Sequence, residues 1–318
     1  MSKQYDRGAE DLGNIVALEH VNLQIADQGL ATLFYISGLG LTRDPYMMTG
    51  VDNMWVNVGH NQFHLVTGTP QHLRGHVGLV VPDREALLRR LESLRKALKG
   101  TRFDFVEHVD HVEAICPWGN RILCHDPAPR FGRVTLGMAY VEFDVPAGAA
   151  SGVAGFYRDV LGAEATVETG TAPVARIAVG IGQELVFRET KAELAPYDGH
   201  HIQVYVANFS GPHRLLSERG LITEESNQHQ YRFDTISDPK SGEPLIQIEH
   251  EVRSMRHPLY ARPLVNRNAQ QTNRNYAQGH DAWIPGSAAE EMDDPRVALR
   301  HRRFEEATRQ GAATRRAV

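Results

Sequence analysis

Three histidines open three copies of one phrase. HVNLQIAD begins at His20, HVGLVVPD at His76 and HIQVYVAN at His201, and a looser copy, YVEFDVPA, begins at Tyr140. In every copy a ring-bearing side chain starts an alternating apolar run, the pattern of a half-buried strand. In the first copy His20, Asn22 and Gln24 share one face, while Val21, Leu23 and Ile25 share the other. Polar side chains turned inward imply a lined cavity, and imidazoles there would offer it nitrogen donors. The chain has sixteen histidines in all. Most of them fit solvated surface or hydrogen-bonded core equally well, so position is what separates the readings.

The strands that carry these rings belong to a repeat of roughly 50 to 60 residues, and such a period specifies an architecture before any function is considered. Seven positions after each ring stands Asp27, Asp83, Asn208 or, as the exception, Ala147. The first three are helix-capping residues at a strand's end. The segment GLATLFYISGLGL suits a helix stopping at Gly38 or Gly40, and DREALLRRLESLRKAL is the clearest helix, with Leu87, Leu88, Leu91, Leu94 and Leu98 on one stripe. Three short strands follow each helix. In the first unit they fall near 45–49, 53–58 and 62–66, and in the second near 105–110, 112–116 and 121–125. Each unit closes on a Gly-marked hairpin: VGHN, CPWGN, VGIGQ and DPKSGEP. The order is βαβββ, four times.

HDPAPRFG, residues 125–132, lies near the midpoint and reads as a linker. The expected fold is therefore α+β, four βαβββ modules paired into two eight-stranded cup-like domains with an extended C-terminal tail. The N-terminal pair covers residues 14–126 and the C-terminal pair 134–252. Residues 253–318 form a tail ending in a charged helix. Its Pro-, Asn- and Arg-rich stretch needs something to order it, so a homo-oligomer is expected.

Composition narrows the classes of function. With 42% hydrophobic and 23% charged residues the chain is an ordinary globular one, and its net charge of −5 argues against nucleic acid as a partner. No apolar run approaches the roughly 20 residues of a membrane span. The first residues, MSKQYDRGAEDLGN, contain no apolar signal core, and the expected location is the cytoplasm. The only cysteines, Cys116 and Cys124, flank the turn-like PWGN, so no disulfide framework holds the fold.

The repeat over residues 15–252 resembles the vicinal oxygen chelate superfamily, which includes glyoxalase I, bleomycin-resistance proteins and type I extradiol dioxygenases. The four-unit length is similar to the dioxygenase branch. The resemblance implies paired βαβββ units that hold a divalent metal through first-strand histidines and a last-strand carboxylate. Carried over by position, it implies His20, His64 and His76 as metal ligands, with Leu123 at the position where Glu is frequent. The alternative set is Tyr140, His201 and Glu249, with Gln247 competing for the last place. His229 and Tyr231 stand in the region of the relatives' His and Tyr beside the metal, and are the implied catalytic pair.

Fe(II) is the favoured ion, since such a site needs a few fixed N and O ligands and open positions. Mn or Zn are the other fits. The expected function is a metal-dependent, extradiol-dioxygenase-like oxidoreductase, or a lyase or isomerase of glyoxalase type, acting on a small substrate with vicinal oxygens. The competing class is a metal-free binding or sequestering protein, bleomycin-resistance-like, with Trp55, Trp118, Tyr140 and Phe143 lining an apolar pocket.

Overall fold

The computed structural model of the chain describes residues 6, 7, 10–47, 52–262 and 264. The repeat is present in all four units. The first consists of β1 (Ile15–Ile25), α1 (Gln28–Ala31), β2 (Thr42–Arg43), β3 (Asn53–Val58) and β4 (Asn61–Thr67). The second has β5 (Gly75–Val80), α2 (Arg84–Leu94), β6 (Asp104–Glu107), β7 (Val112–Ile115) and β8 (Arg121–His125). The third has β9 (Gly137–Pro146), α3 (Ala150–Asp159), β10 (Ala165–Glu168), β11 (Val174–Ala178) and β12 (Glu184–Thr190). The fourth has β13 (His201–Val206), α4 (Ser210–Glu218), β14 (Ile222–Asn227), β15 (Gln230–Ser237) and β16 (Pro244–Ser254).

Two local features depart from the sequence pattern. The first helix becomes a π-helix over Thr32–Gly38, and the strand expected near 45–49 lies instead at the two residues of β2. Residues 48–51 are outside the described ones, as is nearly all of the expected tail and its charged helix.

The capping pattern holds. Asp27 accepts the Leu30 amide at 2.8 Å, Asp83 the Ala86 amide at 2.8 Å and Asn208 the Gly211 amide at 3.1 Å. Such caps satisfy amides that a helix cannot satisfy itself. Where the third unit offers only Ala147, Glu189 reaches across from the fourth strand of its own unit and takes the Ala150 amide at 2.9 Å. The helix start is fastened from a distance instead of locally.

The pairing of units differs from the expected one. One sheet has the order β14-β15-β16-β13-β1-β4-β3-β2 and the other β10-β11-β12-β9-β5-β8-β7-β6. The first unit therefore shares a sheet with the fourth, and the second with the third. An N-terminal two-module sheet over 14–126 and a C-terminal one over 134–252 do not form. Within a unit the first strand pairs in parallel with the fourth and keeps its other edge free. Four such edges are chemically alike, and the repeat carries no mark of which joins which.

Sequence neighbours remain in contact through their helices instead. A side chain at Gly38 would meet Leu94 and Leu91 of α2, and one at Gly155 would meet Pro239 of the fourth unit. Leu87, Leu91, Leu94 and Leu98 are buried, as their spacing predicts, each contributing about 1.5–3 kcal/mol over an exposed position. Tyr157 of α3 and His250 of β16 share a buried hydrogen bond of 2.6 Å, which ties the two sheets together. One continuous core cluster includes residues of all four units. Among the described residues, no helix is long and apolar enough to cross a membrane.

Gly75 shows how closely the second sheet is closed. Its φ is +145°, and a Cβ placed on it would lie 1.9 Å from the carbonyl oxygen of Glu142 in β9. Backbone cannot step aside as a flexible side chain can. Gly75→Ala is expected to destabilise the chain by at least about 2 kcal/mol, read as a lower urea midpoint. Gly100→Ala, at an open surface position with φ +89°, measures the backbone strain alone and is expected to cost less.

Candidate metal centre

The antiparallel pairing of β1 with β13 sets His20 opposite Gln203 and Asn22 opposite His201. The two copies of the phrase thus meet about a local two-fold, and their rings approach to 5.8 Å between centroids. On the outer side of β1, β4 runs parallel in a register that sets Gln62 beside His20 and His64 beside Asn22. His20, His64 and His201 each bring a ligand atom to within 4.8 Å of the others'. Trp55 holds the group from one side, stacked on His64 at 3.8 Å and edge-on to His20 at 4.9 Å.

The register also brings two carboxylates beside these rings. Across β13 and β16, His201 is paired with Glu249 and Gln203 with Glu251. His201 corresponds to His20, so Glu249 corresponds to Gln62 and Glu251 to His64. Glu249, the sequence-derived choice, and Gln247 precede Glu251 by two and four residues on the same strand face. Glu249 has a neighbouring place, with Oε1 3.2 Å from His201 Nδ1, and Glu251 Oε2 lies 3.9 Å from His201 Nε2.

His20 Nδ1 lies 3.2 Å from Glu19 Oε2, and an acceptor-only carboxylate requires the proton on that nitrogen. Nε2 then carries the lone pair. It is buried without a hydrogen-bond partner, and so is His201 Nε2. His64 is engaged on both sides: its Nδ1 accepts from the Asn22 amide at 2.6 Å, and its Nε2–H donates to Asn53 Oδ1 at 2.8 Å. A carboxylate on the far nitrogen of an imidazole is the usual arrangement behind a ligating histidine.

A ladder of charge runs behind the rings. Arg253 bridges Glu19 at 3.0 Å and Glu251, while Arg232 grips both Glu251 and Glu249. Burial raises the carboxyl of Glu19, yet the hydrogen bond from His20 and the charge of Arg253 outweigh it and hold it down at about 2. Burial, followed by the charges of His20, Arg253 and Arg232, lowers His64 to about 2. His201 falls well below its ordinary value for the same first reason, with His20 and Arg232 next. Both rings are therefore neutral lone-pair donors at pH 7, the form that a metal requires. Burial raises Glu249, against the pull of Arg232.

The sequence-derived sets are thus divided between the sheets. His20, His64, His201 and Glu249 come together; His76 and Tyr140 do not join them. Those two belong to the other sheet, with their rings 5.6 Å apart. The corresponding fourth-strand positions there are Leu123 and Val186, opposite Gly78 and Glu142. The Tyr140 ring fills the space above Gly78, where a Cβ would lie 2.0 Å from its Cε1. His76 therefore does not meet His20 and His64, and His201 does, because β1 pairs with β13 and not with β5.

The implied catalytic pair is also displaced. Tyr231 is opposite Val252, on the face turned away from Glu251 and Arg253, and packs against Phe209 and His213. His229 lies between β14 and β15, where its carbonyl accepts the Ser254 amide. Arg232, the residue between Tyr231 and the cup, had no motif to announce it. Neither did Gln203, whose buried amide oxygen and nitrogen both lack partners. Its alternation with His201 was the available signal.

The donor set suits a divalent ion: two buried, unpartnered imidazole nitrogens, a third imidazole within reach and a carboxylate beside them. Stripped of such a ligand, two orphaned acceptors in one cup would cost about 1–3 kcal/mol each.

No protein-family model matches the sequence, and comparison with curated proteins gives no match. Solved structures do resemble it. A putative dioxygenase from Bacillus subtilis subsp. subtilis str. 168 is 15% identical with a TM-score of 0.53, over 88% of this chain and 95% of that one. Glyoxalase I from Zea mays is 12% identical with a TM-score of 0.50, over 75% of this chain and 92% of that one. With the fourfold βαβββ repeat and two eight-stranded sheets, these likenesses give the chain the vicinal oxygen chelate fold.

Proposed function

We propose that the cup of the first and fourth units is a divalent-metal centre and that the chain is an enzyme of the glyoxalase and dioxygenase type. Its substrate is small and presents two neighbouring oxygens. The observation that carries this reading is the pair of buried, unpartnered Nε2 atoms of His20 and His201 beside His64. His20, His64, His201 and Glu251 would hold the ion, with Fe(II) favoured for an oxidative cleavage by dioxygen and Mn or Zn as the other fits. Bound there, such an ion supplies Lewis acidity toward an enolate or catecholate oxygen.

The chain's own groups do the rest. Glu19 keeps the proton on His20 Nδ1 and Glu249 lies against His201 Nδ1, so both rings present Nε2 to the cup. Arg232 and Arg253 hold Glu251 in place beside the histidines. The Gln203 amide has an unpartnered NH2 to donate and an unpartnered carbonyl oxygen to accept from a bound oxygenated molecule.

A metal-free binding protein of the same fold is the second reading. It is favoured by His64, whose two nitrogens are both satisfied by asparagines.

Elemental analysis of protein purified without chelator separates the two. Stoichiometric Fe, Mn or Zn that disappears in the His20→Ala, His201→Ala double variant and persists in His76→Ala supports the enzyme reading. No metal under any loading condition sinks it. Glu251→Gln is expected to weaken Co(II) binding by more than about tenfold, and Glu249→Gln, which only loses an orienting contact, by less. The reverse order, measured by visible absorption of the Co(II) form, would move the carboxylate ligand to Glu249.

A further inference from the structure

A second group of metal-binding side chains lies in the other sheet and takes no part in the centre described above. The turn between β6 and β7 carries Asp110 and His111, and the end of β8 carries His125. A ligand atom from each lies within 4.8 Å of the others'. Around one tetrahedral zinc, N and O ligands at roughly 2.0–2.2 Å are about 3.4 Å apart, so the group needs to close by only about 1.5 Å.

The turn is held in shape before any ion arrives. Arg84 extends from α2 beneath it and donates to the carbonyls of His108, Val109 and His111, while pairing with Glu107 and Asp126. The His108 amide closes the turn on the His111 carbonyl at 2.8 Å.

His125 Nδ1 lies 3.0 Å from Arg130, which can only donate, and 3.3 Å from the Asp110 carbonyl, which can only accept. Its Nε2 is held 3.0 Å from Tyr140 Oη, so the ring turns Nδ1 toward Asp110 and Arg130. An imidazole whose far nitrogen is committed to an oxygen is arranged as ligating histidines usually are. The guanidinium of Arg130 also lies 3.8 Å from Asp110 Oδ2, so it stands at the place between His125 and Asp110 that a cation would take. Its side chain is 54% exposed, with its guanidinium also over the Phe131 ring at 4.7 Å.

We propose that Asp110, His111 and His125 form a second metal site, able to take Zn(II), in which Arg130 is the internal cation that the metal displaces. Two imidazoles and a carboxylate with a fourth position open is a set that suits zinc. His125, Arg130 and Tyr140 also line a cavity of about 590 Å³, so the open position would be available to a small ligand bound there. This site is independent of the His20 centre.

The test uses the full chain, stripped with chelator and titrated with Zn(II) by calorimetry, alone and on a His20→Ala, His201→Ala background. One equivalent is expected to survive on that background. Asp110→Asn and His111→Ala are each expected to weaken it by about tenfold or more. Arg130→Met is expected to tighten it severalfold, an outcome that mere unfolding cannot imitate. Absence of this equivalent from both the background protein and its Arg130→Met form at millimolar zinc overturns the proposal. So does an equivalent whose affinity is indifferent to Asp110→Asn. Failure of the first centre would show differently, as zinc stoichiometry unchanged by the His20 and His201 substitutions.

Discussion

The antiparallel seam between β1 and β13 is the contact on which the candidate centre depends. It sets His20 opposite Gln203 and Asn22 opposite His201, and so turns two copies of one phrase into two halves of one site. Neither copy has enough donors alone. The parallel partners β4 and β16 then add His64 and Glu251 at matching places, since each follows its own first strand in the same register. A one-residue slip at the seam would turn an entire row of polar groups from the cup to the core.

Burying that much charge needs compensation, because a single unpaired ion in such a place is costly. The ladder Glu19, Arg253, Glu251, Arg232 and Glu249 alternates sign throughout, so each charge has at least one opposite neighbour. The same ladder fixes the imidazoles. Glu19 commits one nitrogen of His20, and nearby positive charge joins burial in keeping His64 and His201 neutral. Stability and ligand chemistry are therefore served by the same residues. The second sheet has the same framework without these groups: Leu123 and Val186 replace the fourth-strand ligands, and Tyr140 closes over Gly78. Its group of candidate ligand side chains lies elsewhere, where Asp110, His111 and His125 converge.

The sequence by itself determined the unit and its repetition. Alternation at His20, His76, Tyr140 and His201 specifies strands with an inward ring, since side chains alternate by face along a strand. Asp27, Asp83 and Asn208 mark where helices start, because capping is a contact over three residues. The leucine stripe of α2 is equally local. What only the tertiary structure decided is which units share a sheet, and with that which histidines meet. Four first strands with equivalent free edges leave the choice to helix packing and to buried ties such as Tyr157 with His250, contacts between residues far apart in sequence. That His201 and not His76 meets His20 and His64, with Glu249 and Glu251 both beside it, is a consequence of that long-range register.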